Sequence, residues 1–216
     1  MGVQGALLLV LLLAACSRGV IVEQDGEGAL LSSGAARGFW VGALNPHTGV
    51  GATWSFGDVR LCLTAPDLRP VVRSLEPASV VGQVRVAPIM VRNALRPPPQ
   101  GSEPPQGYME RYRRRHIIGA TRRIPPGLHE PNGWVVTTTC KDPWQPISEI
   151  VVTVTKTGPE GGGIDGIVVT YAWEGRLHRY TIPVDFGICG TGRFELSLGD
   201  PCPEDEASTA TPAAPS

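Results

Sequence analysis

The sequence predicts an all-β fold, and three observations carry that expectation. Glycine and proline are abundant, at 27 and 21 of 216 residues, which favours many turns and few long helices. Five segments rich in β-branched residues are each bounded by Gly, Pro or Asp. No stretch shows the apolar spacing of a convincing amphipathic helix.

The five segments are Asp58–Thr64 (DVRLCLT), Gln83–Arg92 (QVRVAPIMVR), Glu149–Lys156 (EIVVTVTK), Ile164–Trp173 and Arg176–Val184. In EIVVTVTK, Ile150, Val152 and Val154 fall on one face, and Val151, Thr153 and Thr155 on the other. That period of two marks a half-buried strand. The last two segments form a hairpin if Glu174-Gly175 is a two-residue turn. Trp173 then faces Arg176, Tyr171 faces His178, Val169 faces Tyr180 and Ile167 faces Ile182, all on one side. Thr170 with Arg179 and Val168 with Thr181 make a more polar opposite side. A slip of one residue would turn the aromatic face to water, so the register is self-consistent. Pro183 suits only an edge or an end of its strand.

Strands of this kind, with cysteines near their ends, point to a single immunoglobulin-like β-sandwich over residues 38–202. A chain of this size buries roughly two-thirds of its unfolded surface, enough for a real core. A Pro/Arg-rich insertion around 96–127 interrupts the sandwich, and residues 96–106 should be extended and irregular. The tail, 203–216, is acidic and then small, has almost nothing to bury, and should be disordered.

The N-terminus has a different character. Ala6–Ala15 (ALLLVLLLAA) is unbroken and apolar, too short for the roughly twenty residues that cross a bilayer. It matches the apolar core of a secretory signal peptide spanning 1–15. Leu13-Ala14-Ala15-Cys16 resembles the lipobox of bacterial lipoproteins. In that family the cysteine thiol receives a diacylglyceryl group, cleavage follows, and the cysteine becomes residue one. Two or more acyl chains, at about 0.8 kcal/mol per buried CH₂, hold a protein firmly where one holds it weakly. MGVQG departs from the pattern because it has no Lys or Arg. Either the N-terminal amine supplies the only charge or the reading frame starts further upstream. Residues 16–37 then read as a lipidated N-terminus and tether. An ordinary cleaved leader, giving a secreted protein, is the alternative.

The cysteine count agrees with lipidation. Cys16, Cys62, Cys140, Cys189 and Cys202 make an odd number. Assigning Cys16 to a lipid leaves four, enough for two disulfides in an oxidising compartment. Three connectivities are open. Cys62 with Cys140 and Cys189 with Cys202 is preferred because it keeps the C-terminal pair local. The lipobox, VRLCL and IPVDFGIC together resemble uncharacterised actinobacterial lipoproteins with one small β domain, and the Ala, Gly, Pro, Arg and Val bias suits such a source. That resemblance implies no activity.

Chemistry-bearing motifs are sparse. His47, His116, His129 and His178 show none of the HxH, HxxH or HExxH spacings, so a metal site would have to be assembled by the fold. His178 has a packing role beside Tyr171, and His47 and His129 sit in turn-like sequence. No GxSxG, SxxK or GxxxxGK[ST] occurs, and no cofactor is expected. In GPEGGGIDG, Glu160 and Asp165 supply too few oxygen ligands for a calcium loop, so it reads as a strand connection. The formal charge of −1 gives no signal for nucleic acid.

The most distinctive surface feature is the insertion itself. Arg111, Arg113, Arg114, Arg115, Arg122 and Arg123 cluster with Tyr108 and Tyr112 interleaved and only Glu110 opposing. On an exported, tethered protein the polyanions within reach are phospholipid headgroups, anionic wall polymers and acidic proteins. The expectation is a cell-envelope lipoprotein on the outer face of the membrane that binds such a partner and catalyses nothing. An envelope hydrolase or transferase with a site assembled by the fold is the rival expectation.

Overall fold

The computed structural model describes residues 21–23, 28–33, 39–43, 49–96, 98–115, 120–142, 144–191, 194–198 and 202, with the backbone alone for 21–23, 31–33, 39–43 and 113–115. The leader 1–15, Cys16, the tail 203–216, His47 and His116 lie outside the described residues. The described chain is an all-β sandwich of two sheets with a single helix among the described residues.

The closing hairpin organises the first sheet. Strands β10 (Gly161–Trp173) and β11 (Arg176–Cys189) pair in the register read from the sequence, with Trp173 opposite Arg176, Tyr171 opposite His178, Val169 opposite Tyr180 and Ile167 opposite Ile182. Glu174 and Gly175 both take positive φ, 49° and 73°, the tight turn that suits strand twist. The hairpin then continues past a register break at Gly166 to Gly161 opposite Cys189. Strand β5 (Val71–Gly82) adds antiparallel to the other side of β10. On the far side of β11, two short strands run parallel to it: β1 (Ile21–Glu23) along 177–179 and β3 (Phe39–Ala43) along 184–188.

The second sheet centres on β4 (Thr53–Leu63) and β9 (Ile147–Lys156), which pair antiparallel. Strand β2 (Leu30–Ser33) and the two-residue β8 (Ala120–Thr121) flank β4, while β6 (Val84–Val86) and β7 (Met90–Ala94) flank β9. The orders β2-β4-β9-β6/β7 and β5-β10-β11 reproduce, in chain order, the ABED and CFG sheets of an immunoglobulin-like sandwich.

Between the sheets, Phe56, Val59, Leu61, Ile150, Val152 and Val154 meet Ile164, Ile167, Val169, Ile182 and Phe186, all fully or almost fully buried. The Phe56 and Phe186 rings lie 5.3 Å apart across the gap. Ile150, Val152 and Val154 therefore share the core face that their spacing indicates. Toward the hairpin end the core turns aromatic, with His178 stacked on Tyr171 at 5.1 Å and beside Trp173 at 5.5 Å.

Four details differ from the sequence reading. β1 and β2 fall inside 16–37, the stretch read as a tether, so the sandwich begins before residue 38. Residues 83–92 form two strands rather than one, because Ala87, Pro88 and Ile89 interrupt the ladder. Strand β5 is missing from the expectation, since Pro77 and the polar SLEPAS argue against a strand; Pro77 is tolerated because β5 is an edge strand paired with β10 on one side. Pro183 lies inside β11 rather than at its end. It falls where the β10 register breaks and in the gap between β1 and β3, so its missing N–H is not needed by the ladder.

Two disulfides tie the loops down: Cys62–Cys140 and Cys189–Cys202. The first does not join the two sheets as the antibody-domain bridge does. It fastens β4 to the segment before β9, where Cys140 N–H donates to the Leu63 carbonyl at 3.1 Å.

Candidate anion-contact surface

The insertion is not a loose loop. After the prolines, Tyr108–Arg115 (YMERYRRR) forms helix α1, where the sequence reading has no helix. Its first turn holds Glu110 and its last turn holds Arg113, Arg114 and Arg115. That order complements the helix dipole, acid at the N-terminus and base at the C-terminus. Tyr108 and Tyr112 stand four apart and so share a face.

That tyrosine face is what docks the helix. Tyr108 is 2 % exposed, its ring meets Trp144 edge-on at 5.1 Å, and its hydroxyl donates to the Arg96 carbonyl at 3.0 Å. Burial pushes the Tyr108 phenol above its ordinary pKa, with nearby Arg96, Arg111 and Arg60 acting against it. Arg96 itself donates to the carbonyls of Cys140 at 2.5 Å and Thr139 at 2.7 Å. The insertion is thus laced to the disulfide-bearing loop. Tyr108 belongs to the anchor rather than to a contact surface, which corrects its place among the expected contact residues.

Beneath Tyr112 lies a cluster of charges on the outer side of the second sheet. Tyr112 is half-buried, and the charges of Arg60, Asp58 and Glu149 act on it. Arg92 and Glu149 face each other across β7 and β9. Their side chains are only 3 % and 1 % exposed, with Nε and Nη2 of Arg92 each 2.6 Å from Glu149 Oε2. The other carboxylate oxygen, Oε1, accepts the Asp58 N–H at 3.0 Å, and Asp58 in turn pairs with Arg60. Burial pushes the Glu149 carboxyl above the usual range, while Arg92 and the Asp58 N–H pull it down.

Asp58 holds φ at 73° in the register break between Phe56 and Val59. Aspartate tolerates that left-handed conformation better than most residues, and such strain persists only where surrounding structure over-determines it. Here it aims a backbone N–H at a buried carboxylate.

The arginines of the arm divide into two groups. Arg111 is exposed on α1. Arg122 and Arg123 follow β8, and both are exposed. The Arg122 guanidinium lies 5.0 Å from the centre of the Trp54 ring, a cation–π contact, and the Thr121 hydroxyl accepts the Arg123 N–H at 3.2 Å. The backbone of Arg113, Arg114 and Arg115 continues the helix, and their side chains lie outside the described residues.

Of the two described histidines, His178 is 6 % exposed within the aromatic end of the core. His129 is exposed on the segment beside β7. Its backbone exchanges two hydrogen bonds with Val91, at 2.8 and 3.0 Å, and its ring packs on Trp134 at 5.4 Å. His129 also borders a hollow of about 260 Å³ with Arg92, Asn93, Pro126 and Gly127. His178 belongs to β11 of the first sheet, and His129 pairs with Val91 of β7 in the second. Among the described residues no group of three His, Cys, Asp or Glu is placed to hold a metal ion, and no helix is long and apolar enough to cross a membrane. The Glu160–Asp165 segment leads into β10 as a glycine-rich strand start.

Sequence reasoning misses the Arg92–Glu149–Asp58–Arg60 cluster. The available signal is the placement of four charged residues within or beside strand segments, a pattern that ordinarily means a solvated face. No protein-family model matches the sequence, and no curated protein matches it.

Proposed function

We propose that this chain is a cell-envelope lipoprotein, anchored through acylated Cys16 on the outer face of the membrane, whose β-sandwich binds and does not catalyse. Its contact surface is the arm formed by α1 and β8, and its partner is anionic: phospholipid headgroups, a wall polymer or an acidic protein. One observation carries the contact. The arm is fixed to the sandwich through Tyr108 and Tyr112, while Arg111, Arg122 and Arg123 remain exposed on it. A rigidly mounted basic surface loses little entropy on binding. Each charge near an anionic membrane contributes about 1 kcal/mol, fading within a Debye length of roughly 8–10 Å.

The anchor rests on the Leu13-Ala14-Ala15-Cys16 resemblance. It is supported by the pairing of the other four cysteines, which leaves Cys16 as the odd thiol. Intact mass and N-terminal peptide mapping of protein from its native membrane test this directly. A mature chain starting at acylated Cys16 is expected; an unmodified N-terminus further along removes the anchor and makes the protein secreted. For the contact, the domain is sedimented with vesicles containing anionic phospholipid, as wild type and with Arg111, Arg113, Arg114 and Arg115 replaced by Ser. Binding that weakens with salt and is lost in the variant is expected. Equal retention of the two proteins would sink the contact reading.

A further inference from the structure

At the far end of β11 the chain doubles back. Phe194 and Leu196 are buried, and Ser197 and Leu198 reach Asp185 in the middle of the first sheet. The Leu198 N–H donates to Asp185 Oδ2 at 2.8 Å, and the Ser197 hydroxyl lies 3.4 Å from Oδ1. The Cys189–Cys202 bridge holds the same segment at the strand end, and the Thr191 N–H donates to the Pro159 carbonyl at 2.9 Å. Residues 194–198 therefore form a strap with one covalent hinge and one polar latch.

The latch is unusual in what faces it. Asp185 is 1 % exposed, and its register partner on β10 is Asp165, a second carboxyl. On the other side of Asp165 stands Ser79 of β5, and on the other side of Asp185 stands Trp40 of β3. The strap supplies Ser197, the Leu198 amide and the exposed Glu195. Asp165 is the charge that acts on Asp185, and among the described residues neither ion pair includes Asp185. Two carboxylates side by side cannot both ionise cheaply.

We propose that the strap 194–198 is a pH-sensitive latch, closed on the first sheet while the Asp185 carboxyl is protonated and loosened when it ionises beside Asp165. Opening couples to ionisation because the strap itself keeps water from Asp185. While protonated, Asp185 still accepts the Leu198 N–H. When Asp185 ionises, the Leu198 hydrogen bond strengthens. Against that stand the repulsion from Asp165 and the cost of keeping an anion dry, both of which lifting the strap relieves. The Asp185 carboxyl is held above its usual range, first by burial and with Asp165 adding to it, against the pull of the Leu198 N–H. A raised carboxyl pKa means that the closed state is fully favoured below the ordinary aspartate range. That advantage is lost as the pH climbs through the raised value.

Amide hydrogen exchange across 194–198, corrected for intrinsic rates and compared between mildly acidic and mildly alkaline solution, tests the latch in the intact, oxidised domain. One proton released per opening raises the opening constant by up to about tenfold per pH unit across the transition. The Leu198 amide should lose protection on that slope, while core amides at Val152 and Ile167 keep theirs. In Asp165→Asn the side-chain amide donates to an ionised Asp185, so the strap should stay protected at the higher pH. As a second readout, phosphine reduction of Cys189–Cys202 should speed up with pH in the wild type and less so in the variant. Protection at Leu198 that is flat with pH in the wild type overturns the latch, as does an unchanged slope in a folded Asp165→Asn protein.

Discussion

Removing the carboxylate from the charge cluster under α1 should cost this domain a large part of its stability. Glu149→Ala deletes the acceptor of two 2.6 Å contacts from Arg92 and of the 3.0 Å bond from the Asp58 N–H. The Arg92 side chain is 3 % exposed, so its guanidinium cannot turn to bulk water without moving β7 or the insertion. Breaking one half of a buried pair costs about 3–5 kcal/mol, and a native domain holds about 5–15 kcal/mol in all. For a domain of this size each kcal/mol lowers Tm by about 2–4 °C, so a fall of roughly 10–15 °C is expected. The assay is urea unfolding followed by tryptophan fluorescence with both disulfides intact. The double variant Arg92→Leu with Glu149→Leu separates the loss of a pair from the exposure of one member. It strands neither member of the pair and leaves the Asp58 N–H without its acceptor, at about 1–3 kcal/mol. The double variant should therefore be more stable than Glu149→Ala. A single variant that costs under about 1 kcal/mol, or a double variant as unstable as the single, would refute the assignment of a buried, mutually dependent pair.

Two further outcomes follow from the geometry. Tyr108→Phe removes only the hydroxyl bonded to the Arg96 carbonyl and should cost about 1 kcal/mol, whereas Tyr108→Ala also empties the contact with Trp144 and should cost about 3–5 kcal/mol; limited proteolysis should then cut within 96–127 in the Ala variant and spare the Phe variant. A Cβ at Gly162 would lie 2.3 Å from the Val81 carbonyl oxygen, so Gly162→Ala should prevent folding, while Gly175 sits at φ 73° with nothing within 4 Å, so Gly175→Ala should cost only about 1–2 kcal/mol in the same urea assay.

Much of the fold is legible because its central hairpin is over-specified. Glu174-Gly175 fixes the turn, the aromatic side fixes the face, and the two agree only in one register. β9 is equally plain, because Ile150, Val152 and Val154 alternate cleanly. β5 escapes detection because its pairing to β10 and the open edge beside Pro77, which together permit that proline, are properties of the sheet and not of the segment. α1 escapes for a related reason: its buried face is two tyrosines, and everything else in YMERYRRR is charged or flexible. The charge cluster leaves in the sequence only a pattern that ordinarily means a solvated face. Arg92 and Glu149 occupy outward strand positions, and only the insertion folded over them converts a solvated pair into a buried one.

The parallel pairing of β1 and β3 with β11 has a mechanical side. These strands lie near opposite ends of the described chain yet run side by side, with five register pairs between β3 and β11 alone. A pull applied between the two ends of the polypeptide would draw β3 and β11 past one another along their lengths. The bridging hydrogen bonds would then be loaded together, in shear, instead of being opened one by one as in a peeled hairpin. A domain wired this way resists tension between its ends better than its modest edge strands suggest, and it would yield to a sideways pull on β5 at a much lower force.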